Sequence, residues 1–124
     1  MKILVVDGYN VMHKIPELLE IADVSLKDAR DAVTNLANEY KMRDGGISEV
    51  YVVFDGQDKF RDLDIPHGKE QIFSDTGAGD RKIIDTIRTA SERGSVIVVS
   101  DDNYVRNNAR AYSASLIRPV DLIK

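Results

Sequence analysis

The stretch Lys2-Ile3-Leu4-Val5-Val6-Asp7-Gly8-Tyr9-Asn10 decides the fold. After Lys2 the run is apolar without alternation and rich in β-branched side chains, as expected of a strand buried on both faces of a parallel sheet. It then stops on an aspartate. An acid placed directly after a buried strand adds no hydrophobic stabilisation, so Asp7 is a candidate for chemistry. Val50 to Phe54 and Val96 to Val99 repeat the apolar pattern and are likewise followed by acids, in Asp55-Gly56 and Ser100-Asp101-Asp102. Glu70 to Phe73 and Ser115 to Arg118 are weaker strand candidates, the second stopped by Pro119.

Helical patterns lie between these runs. Ser25-Leu26-Lys27-Asp28 reads as a capping box, and Leu26, Ala29, Val33, Leu36 and Tyr40 then recur in steps of three and four until Asp44-Gly45-Gly46. Ile83, Ile84, Ile87 and Ala90 form a second stripe closed by Gly94, and Val105, Ala109 and Tyr112 form a third. Pro16 suits the first turn of a short helix over Ile15 to Ile21. Strands alternating with helices of this length predict an α/β fold, with a mainly parallel sheet of about five strands covered on both sides. With no repeat, linker or low-complexity run, residues 1–124 are expected to form one domain.

Composition bounds the function only loosely. Seventeen basic against twenty-one acidic side chains give a formal charge of −4, which argues against binding nucleic acid by general phosphate neutralisation. The absence of cysteine excludes disulfides and cysteine-based zinc sites, and makes a reducing cytoplasm the natural setting. The opening apolar run is too short for a signal segment or a membrane span, so no membrane partner is expected.

In parallel α/β sheets ligands bind beyond the carboxyl ends of the strands, near the point where the winding reverses. Asp7, Asp55 and Asp101 each follow an apolar strand, and Asp80 opens the helix before the Val96 strand, after Thr76-Gly77-Ala78-Gly79. Carboxylates gathered in one crevice repel one another unless a cation lies between them. With no cysteine and two scattered histidines the donors are oxygens, which suit Mg²⁺ or Mn²⁺. Mg²⁺ takes one or two protein carboxylates and completes its shell with water and phosphate, so a phosphate-bearing substrate follows. Plainer readings stand beside these: Asp55-Gly56 as a turn, Asp80 as a helix cap, and one of Asp101 and Asp102 as the cap of the next helix. Arg81 and Lys82 at a helix start, and Lys14 beyond Asn10, are candidate phosphate contacts or solvated surface. His13 and His67 are not required by metal-assisted hydrolysis. Tyr9 and Tyr104 flank the acids, where aromatic side chains stack on bases or simply pack.

Taken in order, Asp7-Gly8-Tyr9-Asn10, Val53-Phe54-Asp55, His67-Gly68 with Ile72-Phe73-Ser74, Asp80 with Ile83-Ile84, and Val99-Ser100-Asp101 resemble the NYN family, in its YacP-like branch. The resemblance spans nearly the whole chain. It implies a PIN-like three-layer α/β/α fold and a metal-dependent ribonuclease in which Asp7, Asp80 and Asp101 hold the ion. Asn10 would orient water on the ion or a substrate phosphate, and Asp102 would be an auxiliary ligand. One departure stands out: Ala78-Gly79 precede Asp80 where relatives carry Thr-Ala, and the acid expected a turn later is displaced to Asp85. A catalytically silent RNA-binding module and a structure-specific DNA nuclease are the alternatives. Phosphatases of the haloacid dehalogenase type need an acid at the place of Tyr9, and receiver domains need an acid adjacent to Asp7, so both fit poorly.

Overall fold

The computed structural model describes residues 1–54, 71–73 and 81–124. Among these residues five parallel strands, β1 (Lys2–Asp7), β2 (Glu49–Phe54), β3 (Gln71–Phe73), β4 (Ser95–Val99) and β5 (Ser115–Ile117), form one sheet in the order β3-β2-β1-β4-β5. Side-chain alternation divides the core in two. Leu4 and Val6 of β1 pack with Val50, Val52 and Phe54 on one face, while Ile3 and Val5 pack with Val53, Val96 and Val98 on the other. The first face is covered by α1 (Gly8–Lys14), α2 (Pro16–Val24), α3 (Leu26–Arg43) and a terminal 3₁₀ helix, Pro119–Ile123. The second is covered by α4 (Arg81–Ser91) and α5 (Asn103–Ala111). The expected three-layer α/β/α sandwich is therefore present.

Local sequence explains the helix limits. The Ser25 side chain accepts from the Asp28 N–H at 3.1 Å and starts α3. Its other end closes at Asp44, whose N–H donates to the Tyr40 carbonyl before Gly45-Gly46. Pro16 occupies the first turn of α2, where a missing N–H breaks no helical bond.

One element departs from expectation. Gly8-Tyr9-Asn10, where the sequence predicts no helix, are the first turn of α1. Glycine, tyrosine and asparagine are poor helix formers, but burial of Val11 and Met12 against the sheet overrides propensity. Gly8 permits the close approach: a Cβ there would lie 2.6 Å from the Phe54 ring and 3.0 Å from the Val53 carbonyl oxygen. The main chain thus turns into a helix directly after Asp7, at the edge where β1 ends.

Candidate active site at the carboxyl edge of the sheet

Strand order reverses between β1 and β4, since β2 and β3 lie to one side of β1 while β4 and β5 lie to the other. The crevice at the carboxyl ends of β1 and β4 is consequently where a ligand is expected. Val6 pairs with Val99, which sets Asp7 beside Ser100 on the neighbouring strand.

Asp7 is only 7% exposed, and its Oδ2 accepts from the Ser100 hydroxyl at 2.8 Å. Ser100, fully buried, also accepts the Asp102 N–H at 3.0 Å, so its proton is directed at the carboxylate. Asn10 makes the second link between the strand ends. Its Oδ1 accepts the Asp101 N–H at 2.9 Å, fixing both the orientation of the amide and the place where Asp101 leaves β4. Asp101, about one quarter exposed, receives Arg118 Nη1 on Oδ1 at 2.5 Å. Arg118 follows β5 directly, so this cation also comes from a strand end.

Of the two neighbouring acids, Asp102 is the helix cap: its Oδ1 accepts from the Val105 N–H at 3.1 Å. Asp101 caps no helix, and its carboxylate is held by Arg118. Arg106 reaches back from α5 to the Ser100 carbonyl at 2.8 Å, closing the end of β4. Tyr9 packs against Phe54 with ring centroids 5.1 Å apart, whereas Tyr104 is exposed.

The expected phosphate contacts are dispersed. Lys14 is exposed at the far end of α1, roughly 10 Å along the helix from Asp7 at 1.5 Å per residue. Lys82 lies on the exposed side of the first turn of α4 and lines a groove with Tyr51, Ile72 and Arg93, outside the Asp7 cluster. For Arg81 only the backbone at the start of α4 is described. Asp85 points away from the core and pairs with Arg88 at 3.7 Å. Asp55, His67 and Asp80 lie outside the described residues. The sequence reading did not single out Ser100, Arg106 or Arg118, although all three stand at or beside strand ends.

The donors suit a hard cation. Asp7 and Asp101 offer carboxylate oxygens, and a positive group, the Arg118 guanidinium, already sits on Asp101. Among the described residues no three acidic or histidine side chains gather where they could hold a metal ion together.

The sequence model of the YacP-like NYN domain matches residues 4–124. The chain belongs to the YacP-like NYN family. No curated protein matches it in sequence. A crystal structure of a mutant form of Rae1 (YacP) from Bacillus subtilis is similar, with a TM-score of 0.75 at 25% identity over 99% of this chain and 73% of that one. A second crystal structure of Bacillus subtilis Rae1 (YacP) gives a TM-score of 0.73 at 23% identity, over 99% of this chain and 72% of that one, and supports the fold. Membership of this PIN-like nuclease family supports a ribonuclease-type role, and such nucleases generally use divalent metal ions.

Proposed function

We propose that this NYN domain hydrolyses RNA phosphodiester bonds in the crevice between the ends of β1 and β4, with Asp7 and Asp101 holding Mg²⁺ or Mn²⁺. The observation that carries the reading is the buried Asp7 carboxylate at the switch point, oriented by the Ser100 hydroxyl. Taking a carboxylate out of water is costly, and a neutral residue there would pack without that cost. When bound, a divalent ion supplies Lewis acidity, activating water and offsetting phosphate charge.

The protein's own part is positioning. Ser100 fixes the rotamer of Asp7, and Asn10 fixes the backbone that presents Asp101. Asn10 is therefore a positioning residue through its Oδ1, and its amide NH₂ is the group available to a substrate phosphate. Asp80, with Asp102 as an auxiliary, completes the proposed acid set; Lys14, Arg81 and Lys82 are proposed contacts to more distant phosphates. Water attacks phosphorus in line, the P–O3′ bond breaks, and the products are a 5′-phosphate and a 3′-hydroxyl. A reducing cytoplasm is the proposed compartment, consistent with a chain that lacks cysteine. Among the described residues no helix is long and apolar enough to cross a membrane.

A 5′-labelled single-stranded RNA incubated with the protein in Mg²⁺ or Mn²⁺, and in excess chelator, tests the reading. Cleavage only with metal, leaving 3′-hydroxyl ends, is the expected result. RNA retained in a complex but uncut under every condition would instead indicate a silent binding module. Cleavage of structured DNA with RNA left intact would move the substrate class.

A further inference from the structure

Arg118 is held very differently at its root and at its head. Its N–H donates to Asp121 Oδ2 at 2.8 Å, at the start of the 3₁₀ helix, and Arg43 Nη2 anchors that helix through the Leu122 carbonyl at 2.7 Å. The side chain, in contrast, is 58% exposed and contacts Asp101 through a single nitrogen. An ion pair this open to solvent contributes little to stability, so fold maintenance does not account for it. Arg106, the neighbouring cation, is engaged by backbone: it donates to the Ser100 carbonyl at 2.8 Å and, at 3.5 Å, to the Ile117 carbonyl. Arg118 alone of the two touches a crevice acid.

We infer that Arg118 is a resident counter-cation which a divalent ion displaces from Asp101, and which on release becomes the phosphate contact nearest the acids. The inference rests on the reading of Asp101 as a metal ligand. Its physical basis is competition. A guanidinium and a divalent ion held on the same carboxylate repel one another, and the ion carries the higher charge. The displaced guanidinium keeps its anchored backbone, so it stays within side-chain reach of the same crevice. Its planar donors match phosphate oxygens in pairs, which a lysine ammonium does not. Metal-free protein thus has Asp101 neutralised, and metal-loaded protein gains a cation directed at substrate. The two binding events then favour each other without movement of the sheet.

The test compares the parent chain with Arg118→Ala and Arg118→Lys by calorimetric titration with Mn²⁺ alone, then by steady-state cleavage of single-stranded RNA. Removing the competitor should tighten Mn²⁺ binding by about two- to fivefold, the scale of an exposed ion pair. The same substitution should raise KM for RNA about tenfold, as loss of a charge-assisted hydrogen bond does, with kcat changing less. Arg118→Lys should return the Mn²⁺ affinity to within about twofold of the parent, since it restores a competing charge, but recover KM only in part. In an Asp101→Asn background, Arg118→Ala should no longer alter Mn²⁺ affinity. Equal or weaker Mn²⁺ binding by Arg118→Ala, or an unchanged KM, overturns the exchange while leaving the metal site standing. Failure of parent and variant alike to bind Mn²⁺ overturns the metal reading, and this inference with it.

Discussion

The two edges of the sheet use acids in opposite ways. At the amino edge, Glu49 accepts from the Tyr51 hydroxyl at 2.5 Å and pairs with Arg93, while Asp44 pairs with Lys2 at 2.9 Å and accepts the Gly46 N–H. These acids fasten the starts of β1 and β2 to the turns beside them. Gly94 belongs to the same closure, since a Cβ there would lie 2.4 Å from the Met1 carbonyl oxygen. At the carboxyl edge Asp7 is buried instead, oriented by a neutral hydroxyl, and Asp101 carries a cation rooted on another strand. The difference teaches that ion pairing alone does not mark a site. The carboxylate buried at the switch point is the observation on which the proposed site rests.

The strongest way to break this contrast is to neutralise one acid from each edge. Asp7→Asn keeps the shape and can still accept from Ser100, so the fold should survive with its circular dichroism unchanged. RNA cleavage should fall on the order of 100-fold or more, the scale of losing a preorganised electrostatic group. Glu49→Gln should leave the cleavage rate at the parent level. Equal losses in both variants would erase the distinction between the edges.

A smaller effect is expected from Gly8→Ala. The added methyl meets the Phe54 ring and the Val53 carbonyl, and forcing volume into a packed core costs about 1–3 kcal/mol, readable by urea denaturation. Asn10→Ala should be milder. It removes the bond to the Asp101 N–H, worth about 1 kcal/mol of stability, and should slow cleavage about tenfold by loosening the presentation of Asp101. If Asn10→Ala lost stability but kept full activity, Asn10 would be only a staple between strands.

Much of this architecture was legible in the sequence, and what was not had physical reasons. The apolar strands were found to within a residue, because burial on both faces leaves unbroken apolar runs such as Leu4-Val5-Val6. The α3 limits were readable because the cap and the terminating glycines act locally. Helix α1 was not, since its helicity comes from packing of Val11 and Met12 rather than from propensity. The partner of Asp101 was also invisible: Arg118 lies seventeen residues away and meets it only because β5 pairs with β4. The strand-end rule that selected acids would have selected Arg118 as well, had it been applied to cations.

The smallest expected effect is the dependence of stability on pH. The Tyr51 hydroxyl, followed by Arg93, holds Glu49 below the usual carboxylate range; Lys2, followed by the Gly46 N–H, does the same for Asp44. Depressed carboxyl groups contribute stability that is full above their unfolded values, about 4, and is lost as pH falls through the lower folded ones. Thermal melts should therefore decline as pH is taken from about 5 toward 3. Glu49→Gln should show a shallower decline, and an identical slope would remove Glu49 from the account.

The most direct test of the central claim is an anomalous difference map from crystals soaked in Mn²⁺. The account predicts a peak in the crevice between β1 and β4, with carboxylate oxygens of Asp7 and Asp101 at about 2.1 Å and the Arg118 side chain turned away from Asp101. A map in which manganese settles elsewhere, leaving Arg118 on Asp101 and no density beside Asp7, would contradict it.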